Sequence, residues 1–227
     1  MSMDRKTRIK RTIMNKFIDA ASTIIDDEGL DKVTIRKVAS AAGYNSATLY
    51  NYFDNIEHLI IFASIRYLRD YNQGLKKYVK NARNSLERYL LIWECFCKYS
   101  FDKPDIYNLI FFSDYSNSLN NIITEYYSLF PEELADSSLR LNSMLTGNNI
   151  YSRTLYQFGG CADEGYFREE DIPEINEVTI LIYQSILQNL LKKSPPYDSK
   201  EALDKVMKYF GKIVESYRLP AVAADYI

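Results

Sequence analysis

Apolar residues recur at intervals of three and four along almost the whole chain, while the strict alternation of a half-buried strand is scarce. A chain patterned this way can bury its hydrophobic surface only by packing helix on helix, so the sequence predicts an all-α fold. The first helix is expected over 9–27, with Ile13, Phe17, Ala20, Ala21 and Ile24 on one face and Gly29 ending it. Further helices are expected over 57–80, 85–100, 104–113, 117–128, 137–158, 174–192 and 200–218. Asn84 and Glu87 have the spacing of a capping box ahead of the third of these long stretches. Breaks are read where Gly and Pro fall: Gly29, Gly43, Lys103-Pro104, Phe130-Pro131, Gly159-Gly160, 171–173 and 194–196.

The most informative stretch, Val33 to Ile60, follows the first helix and runs into the start of the one expected over 57–80. Thr34 is placed to cap a short helix whose inner side is Ile35, Val38, Ala39 and Ala42. Gly43 then supplies a sharp turn, and Asn45 caps a second short helix with Leu49 and Phe53, four apart, facing inward. Two short capped helices joined by a tight glycine turn follow the pattern of a helix-turn-helix. The second helix has to be narrow at its start to enter a major groove about 12 Å wide. Asn45, Ser46, Ala47 and Thr48 are small enough to meet that requirement.

Charge is distributed to match. The net charge of 227 residues is −2, yet residues 1–53 hold nine Lys+Arg against six Asp+Glu, a balance of +3, and the remainder stands at −5. Six of those cations, Arg5, Lys6, Arg8, Lys10, Arg11 and Lys16, fall in the first 16 positions, where they can meet phosphates. Arg5, Lys6 and Arg8 read as a basic arm able to reach phosphates or a flanking minor groove.

The run T-I-R-K-V-A-x-x-A-G-Y-x-x-x-T-L-Y-N-Y-F-D-N-x-E-x-L, within about 50 residues from Ile9 to Leu59, resembles the DNA-binding domain of the TetR family of repressors. The resemblance implies a three-helix DNA-binding domain, taken here as residues 1–54, and a larger helical domain, 55–227, for ligand binding and dimerisation. It implies operator contact from Thr34, Arg36, Asn45, Ser46, Ala47, Thr48, Tyr50, Asn51 and Tyr52. In the family the place of Tyr50 approaches bases, those of Thr48 and Tyr52 approach phosphates, and those of Thr34 and Arg36 approach the backbone or, for Arg36, sometimes a base. Two departures stand out: the basic residue common at the place of Ser46 is absent, as is the lysine usual near Ile56. Each missing lysine lowers the salt dependence of binding by about one unit.

The same resemblance implies a homodimer through the last two long helices, whose apolar stripes are wide enough to leave a face over, and repression relieved by a small-molecule effector. Control by a protein partner is the alternative. Twenty tyrosines bring hydroxyls that a core must satisfy, which points to a partly polar pocket among Trp93, Phe96, Phe111, Tyr115, Tyr151 and Tyr156.

Nothing in the sequence marks an enzyme: it has no Gly-rich phosphate loop, no G-x-S-x-G elbow and a single His. The acidic pair Glu132-Glu133 reads as a solvated connection. Cys95, Cys97 and Cys161 form no metal-ligand set and read as buried free thiols, so no metal and no cofactor are expected. No apolar run reaches membrane-span length and no signal-like segment opens the sequence, so the expected location is the cytoplasm, with no membrane partner.

Overall fold

The structure, a computed structural model, describes residues 4–112, 119–133 and 149–220. All regular structure among them is helical. The α-helices are α1 (Arg5–Glu28), α2 (Ile35–Ala41), α3 (Ser46–Tyr50), α4 (Ile56–Val79), α5 (Ser85–Asp102), α6 (Pro104–Phe112), α7 (Leu119–Leu129), α8 (Ile150–Asp163), α9 (Ile172–Leu190) and α10 (Ser199–Tyr217). Short 3-10 turns occupy Leu30–Lys32, Pro131–Glu133 and Glu169–Asp171. The expected helices over 117–128 and 137–158 lie partly outside the described residues, as does Tyr115.

Two compact units divide the chain. The first unit holds residues up to Arg69 together with the stretch beginning at Asp105, and the second holds Asp70 to Pro104 and the C-terminal helices. In the first unit, Met14, Phe17, Ile18 and Ala21 of α1 are buried with Val38, Leu49, Phe53, Leu59 and Phe62. The rings of Phe53, His58 and Phe62 form an edge-to-face cluster with centroids 4.9–5.6 Å apart, a geometry aromatic quadrupoles favour.

α5 lies at the heart of the second unit, flanked by α8, α9 and α10. Trp93 of α5 meets Phe210 of α10 edge-on at 5.0 Å, and Tyr89 meets Phe158 of α8 at 4.4 Å. The Tyr89 hydroxyl donates to Thr179 Oγ1 at 3.3 Å, so the core satisfies this phenol without a cavity.

Several boundaries depart from the sequence-based expectation. α1 starts at Arg5, four residues early, because the Asp4 carboxylate accepts the backbone N–H groups of Lys6 (2.7 Å) and Thr7 (3.0 Å). Those hydrogen bonds, led by that of Thr7, hold the Asp4 carboxyl below its ordinary range. Arg5, Lys6 and Arg8 are therefore helical rather than an extended arm.

Gly159-Gly160 does not break a helix either. α8 runs through the pair to Asp163, held by Phe158 and Cys161, which are both buried, and the chain turns instead at Gly165 with φ 73°. At α5, Asn84 caps as expected, accepting from Glu87 N at 2.8 Å, but the Glu87 carboxylate reaches back to Arg83 N rather than Asn84 N.

Candidate nucleic-acid interface

The site is built on how α2 stops and α3 begins. Thr34 Oγ1 accepts the backbone N–H of Lys37 at 3.3 Å and starts α2, while Val38 and Ala39 turn into the core. Gly43 takes φ 76°, a conformation that side chains with a Cβ rarely adopt. The chain folds back so that Tyr44 N donates to Ala39 O at 2.9 Å, the closing bond of a glycine-terminated helix. Asn45 Oδ1 then accepts both the backbone N–H of Thr48 (2.8 Å) and its hydroxyl (3.0 Å), which fixes the start of α3.

With Leu49 and Phe53 buried, α3 has one possible outer face. Ala47, Tyr50 and Asn51 are exposed, Tyr50 to 55%, as are Thr34, Arg36 and Asn45, while Ser46, Thr48 and Tyr52 are half-buried. Eight of the nine residues read from the sequence thus stand on α2, on α3 or at their caps, Tyr52 follows the C-cap of α3, and none is buried. Tyr52 and Tyr44 lean on Phe17 with ring centroids 6.3 and 5.2 Å away, and Lys16 Nζ sits 5.4 Å over the Tyr44 ring.

Three features of this region are not legible in the sequence. Arg5, Lys6 and Lys10 of α1 share a groove of about 590 Å³ with Asn51 and Tyr52, so basic side chains border the end of α3. His58 Nδ1 accepts the backbone N–H of Asp54 at 3.2 Å and closes the turn into α4. Lys37, beside the candidate contact Arg36, is tied to Glu28 at 2.5 Å.

The α7 segment and the turn after it also belong to this unit. Glu133 is buried, not solvated: it accepts the Tyr126 hydroxyl at 2.6 Å and lies 3.8 Å from Arg66 of α4. Arg66 also donates to Asp19 and Asn15 of α1. Burial acts to lower the Arg66 pKa, but Tyr126, Asp19 and Glu133 outweigh it and the net shift is upward. Burial, reinforced by Glu133, pushes the Tyr126 phenol up, so it stays a donor. The same stretch engages α1: Arg11 pairs with Glu132 and lies 5.3 Å over Phe130, and Lys10 pairs with Glu125 at 3.2 Å.

In the second unit, a small cavity of about 20 Å³ is lined by Tyr71, Trp93, Phe96, Ile150, Arg153, Thr154 and Gln157. It has room for little more than one water. Trp93 and Phe96 were expected there. Phe111 instead belongs to the first unit, and Tyr151 and Tyr156 are exposed on α8. Tyr71 and the polar trio on α8 were missed, since a helix facing inward with Arg and Gln has no distinguishing pattern. Gln157 Oε1 is buried and accepts no hydrogen bond from the described residues.

Among the described residues no cluster of three or more His, Cys, Asp or Glu could hold a metal ion, and no helix is long and apolar enough to cross a membrane.

Residues 17–61 match the family model described as bacterial regulatory proteins, tetR family. Among solved structures, the chain resembles FadR of Thermus thermophilus, a TetR-family transcriptional repressor in complex with lauroyl-CoA, at 14% identity and a TM-score of 0.58, covering 94% of this chain and 100% of that one. It resembles the fatty acid degradation regulator FadR of Bacillus halodurans at 18% identity and a TM-score of 0.56, covering 92% and 96%. A putative TetR-family regulator of Mesorhizobium loti gives 11% identity and a TM-score of 0.58 over 95% and 100%. No curated protein matches the sequence. At these identities the structural likeness speaks for the fold, and residues 17–61, from within α1 to within α4, carry the resemblance to the tetR family of bacterial regulatory proteins.

Proposed function

We propose that the protein is a repressor that binds a pseudo-palindromic operator as a homodimer and is released by a small-molecule effector. The observation that carries the DNA reading is the outer face of α3: a helix capped by Asn45, anchored by buried Leu49 and Phe53, and presenting Ala47, Tyr50 and Asn51 outward. In this reading Tyr50, with Ala47 and Asn51, reads base edges. Thr34, Arg36, Asn45, Ser46, Thr48 and Tyr52 position the helix on the phosphates. Arg5, Lys6 and Arg8 extend the contact from the first turns of α1.

One such helix makes few base contacts, so two copies on half-sites about 34–36 Å apart are needed for specificity. α9 and α10 supply the second-copy face. Leu181 is 51% exposed between half-buried Val178 and Ile182. On α10, half-buried Leu203 and Met207 run toward Gly211, where a Cβ would meet nothing within 4 Å. A backbone can approach closely there, as four-helix packing requires.

For the effector, the cavity beside Trp93 and Phe96 is the place to enlarge. Its Gln157 carbonyl oxygen lacks a donor among the described residues, which suits a ligand with an apolar body and one hydrogen-bond donor. The Thermus thermophilus structure carries a lauroyl-CoA in a related fold. A ligand shifts the equilibrium only by its differential affinity for the DNA-bound and free conformations.

A second reading, control by a protein partner, is favoured by one observation: Tyr151, Leu155 and Tyr156 form an exposed apolar patch on α8.

Footprinting on the DNA flanking the protein's own gene, at two salt concentrations, tests the first reading. A protected, roughly palindromic, salt-sensitive site supports it. Lack of protection on all flanking DNA removes the support for local repression. With a site in hand, release by a metabolite extract passed through a small-pore membrane separates the effector from the partner.

A further inference from the structure

The six basic residues at the head of the chain are not equally available. Lys10 lines the groove that Asn51 and Tyr52 border, yet its ammonium is held by Glu125 of α7 at 3.2 Å. Arg11, the next residue, is held by Glu132 of the following turn and lies over the Phe130 ring. Lys10, at the edge of the candidate DNA surface, and Arg11, its neighbour in sequence, are thus neutralised by one short acidic segment more than 100 residues away in sequence.

That segment is anchored rather than loosely apposed. Glu133, next to Glu132, is buried, accepts the Tyr126 hydroxyl at 2.6 Å and faces Arg66, which also donates to Asp19 and Asn15 of α1. The Tyr126 and Phe130 rings lie 5.0 Å apart at a tilt of 43°, and Tyr126 meets Phe62 edge-on at 5.5 Å. Tyr126 and Glu133 are both buried, and a buried carboxylate is strongly disfavoured without its hydrogen-bond partner, so this contact anchors the segment. By contrast, the Lys10–Glu125 and Arg11–Glu132 pairs are half-exposed and individually weak, so they persist only while the anchored segment keeps both glutamates beside the cations.

We infer that α7 and the turn after it form an acidic brake on DNA binding, in which Glu125 and Glu132 occupy Lys10 and Arg11 while the Glu133, Tyr126 and Arg66 contact fastens the segment to α1 and α4. Release of the segment turns two internally paired cations into phosphate ligands. The brake rests on the DNA-binding reading above and adds a regulated term to it.

The test is a double-mutant cycle on the full-length protein, with a mixed-sequence duplex DNA as probe and binding followed by fluorescence anisotropy between 50 and 200 mM salt. Glu125→Gln with Glu132→Gln keeps the shapes and removes the competing charges. Each phosphate contact adds about 0.9 to the slope of log affinity against log salt, so two give about 1.8. Over that fourfold salt range the variant's affinity falls about twelvefold further than wild type's. Adding Lys10→Gln and Arg11→Gln abolishes this gain, whereas the same two lysine and arginine changes made alone leave the wild-type slope nearly unchanged.

A gain that survives in the quadruple variant is a general charge effect and overturns the brake, as does a slope unaltered by the glutamate changes in a protein that binds duplex DNA. No salt-sensitive binding by any variant overturns the DNA-binding reading and the brake together. Thermal melts of all four proteins confirm that the comparison is made between folded chains.

Discussion

The ring of Phe53 stands edge-on to that of Phe17, with centroids 6.2 Å apart and planes at 88°. Phe53 follows α3 directly and Phe17 lies at the middle of α1, and both are buried. One aromatic contact therefore fixes the exit of α3 against the longest helix of the first unit. Phe53→Ala removes it and leaves a cavity among Phe17, His58 and Phe62, at a cost of about 3–5 kcal/mol. Urea unfolding should show that loss, and Phe53→Leu should recover a large part of it. An Ala variant as stable as wild type would mean that this packing does not hold in solution.

Asn45 acts more locally. Its side chain satisfies the Thr48 N–H at 2.8 Å, and a helix of five residues has little else to hold its start. Asn45→Ala should cost about 1 kcal/mol, while Asn45→Asp and Asn45→Ser, which also cap, should cost little. The measurement is the urea midpoint at constant slope. Equal losses in all three variants would point to a role other than capping.

Tyr50 should separate stability from binding. A ring 55% exposed can be truncated within about 0.5 kcal/mol of wild type. If it reads a base edge, Tyr50→Ala weakens binding to the footprinted operator by about 1–3 kcal/mol, roughly 5- to 150-fold, and leaves binding to mixed-sequence DNA nearly unchanged. A parallel loss on both DNAs would reassign Tyr50 to the phosphates.

Legibility followed the range of the interactions involved. The caps Thr34, Asn45 and Asn84, the turn at Gly43 and the inward pair Leu49 and Phe53 are all set within about four residues, and the sequence shows each of them. Gly159-Gly160 misled because a glycine costs a helix about 1 kcal/mol, a local preference that burial of the neighbouring Phe158 and Cys161 overrides. The start of α1 was read late because Arg5 to Arg8 carry no apolar stripe, although Asp4 is itself a capping residue. The pairs Lys10–Glu125 and Arg11–Glu132 have no local signature, so a sum of charges counted cations that the fold already engages. For the same reason Arg153 and Gln157 escaped notice while Trp93 and Phe96, apolar and helical in spacing, did not.

Leu181 tests the proposed dimer. An apolar side chain 51% exposed on α9 is tolerated in a monomer and needed in a four-helix interface. Leu181→Glu places a charge where a second copy would have to desolvate it, and sedimentation should shift from dimer to monomer while helicity by circular dichroism is retained. A dimer undiminished at micromolar concentration would move the interface elsewhere, with the exposed Tyr151 and Leu155 of α8 next to be changed.

The three cysteines are free and buried, which makes a prediction about pH as well as reactivity. Burial pushes the Cys95 thiol up to about 12, because a thiolate in the core would lose its water; nearby Lys98 acts in the opposite direction and Glu94 with burial. Cys97 moves the same way. At pH 8 the native protein should therefore react with an aromatic disulfide reagent far more slowly than the urea-unfolded chain, in which all three thiols react. The folded value lies above the unfolded one, so the neutral thiol's contribution to stability is complete below about pH 8.5, where the unfolded thiol titrates. It erodes as the pH climbs from there toward 12. Urea midpoints at pH 7.5 and 9.5 should show lower stability at the higher pH, and Cys95→Ala with Cys97→Ala should flatten that difference. A pH dependence equally steep in the double variant would assign it to other groups, the buried tyrosines first.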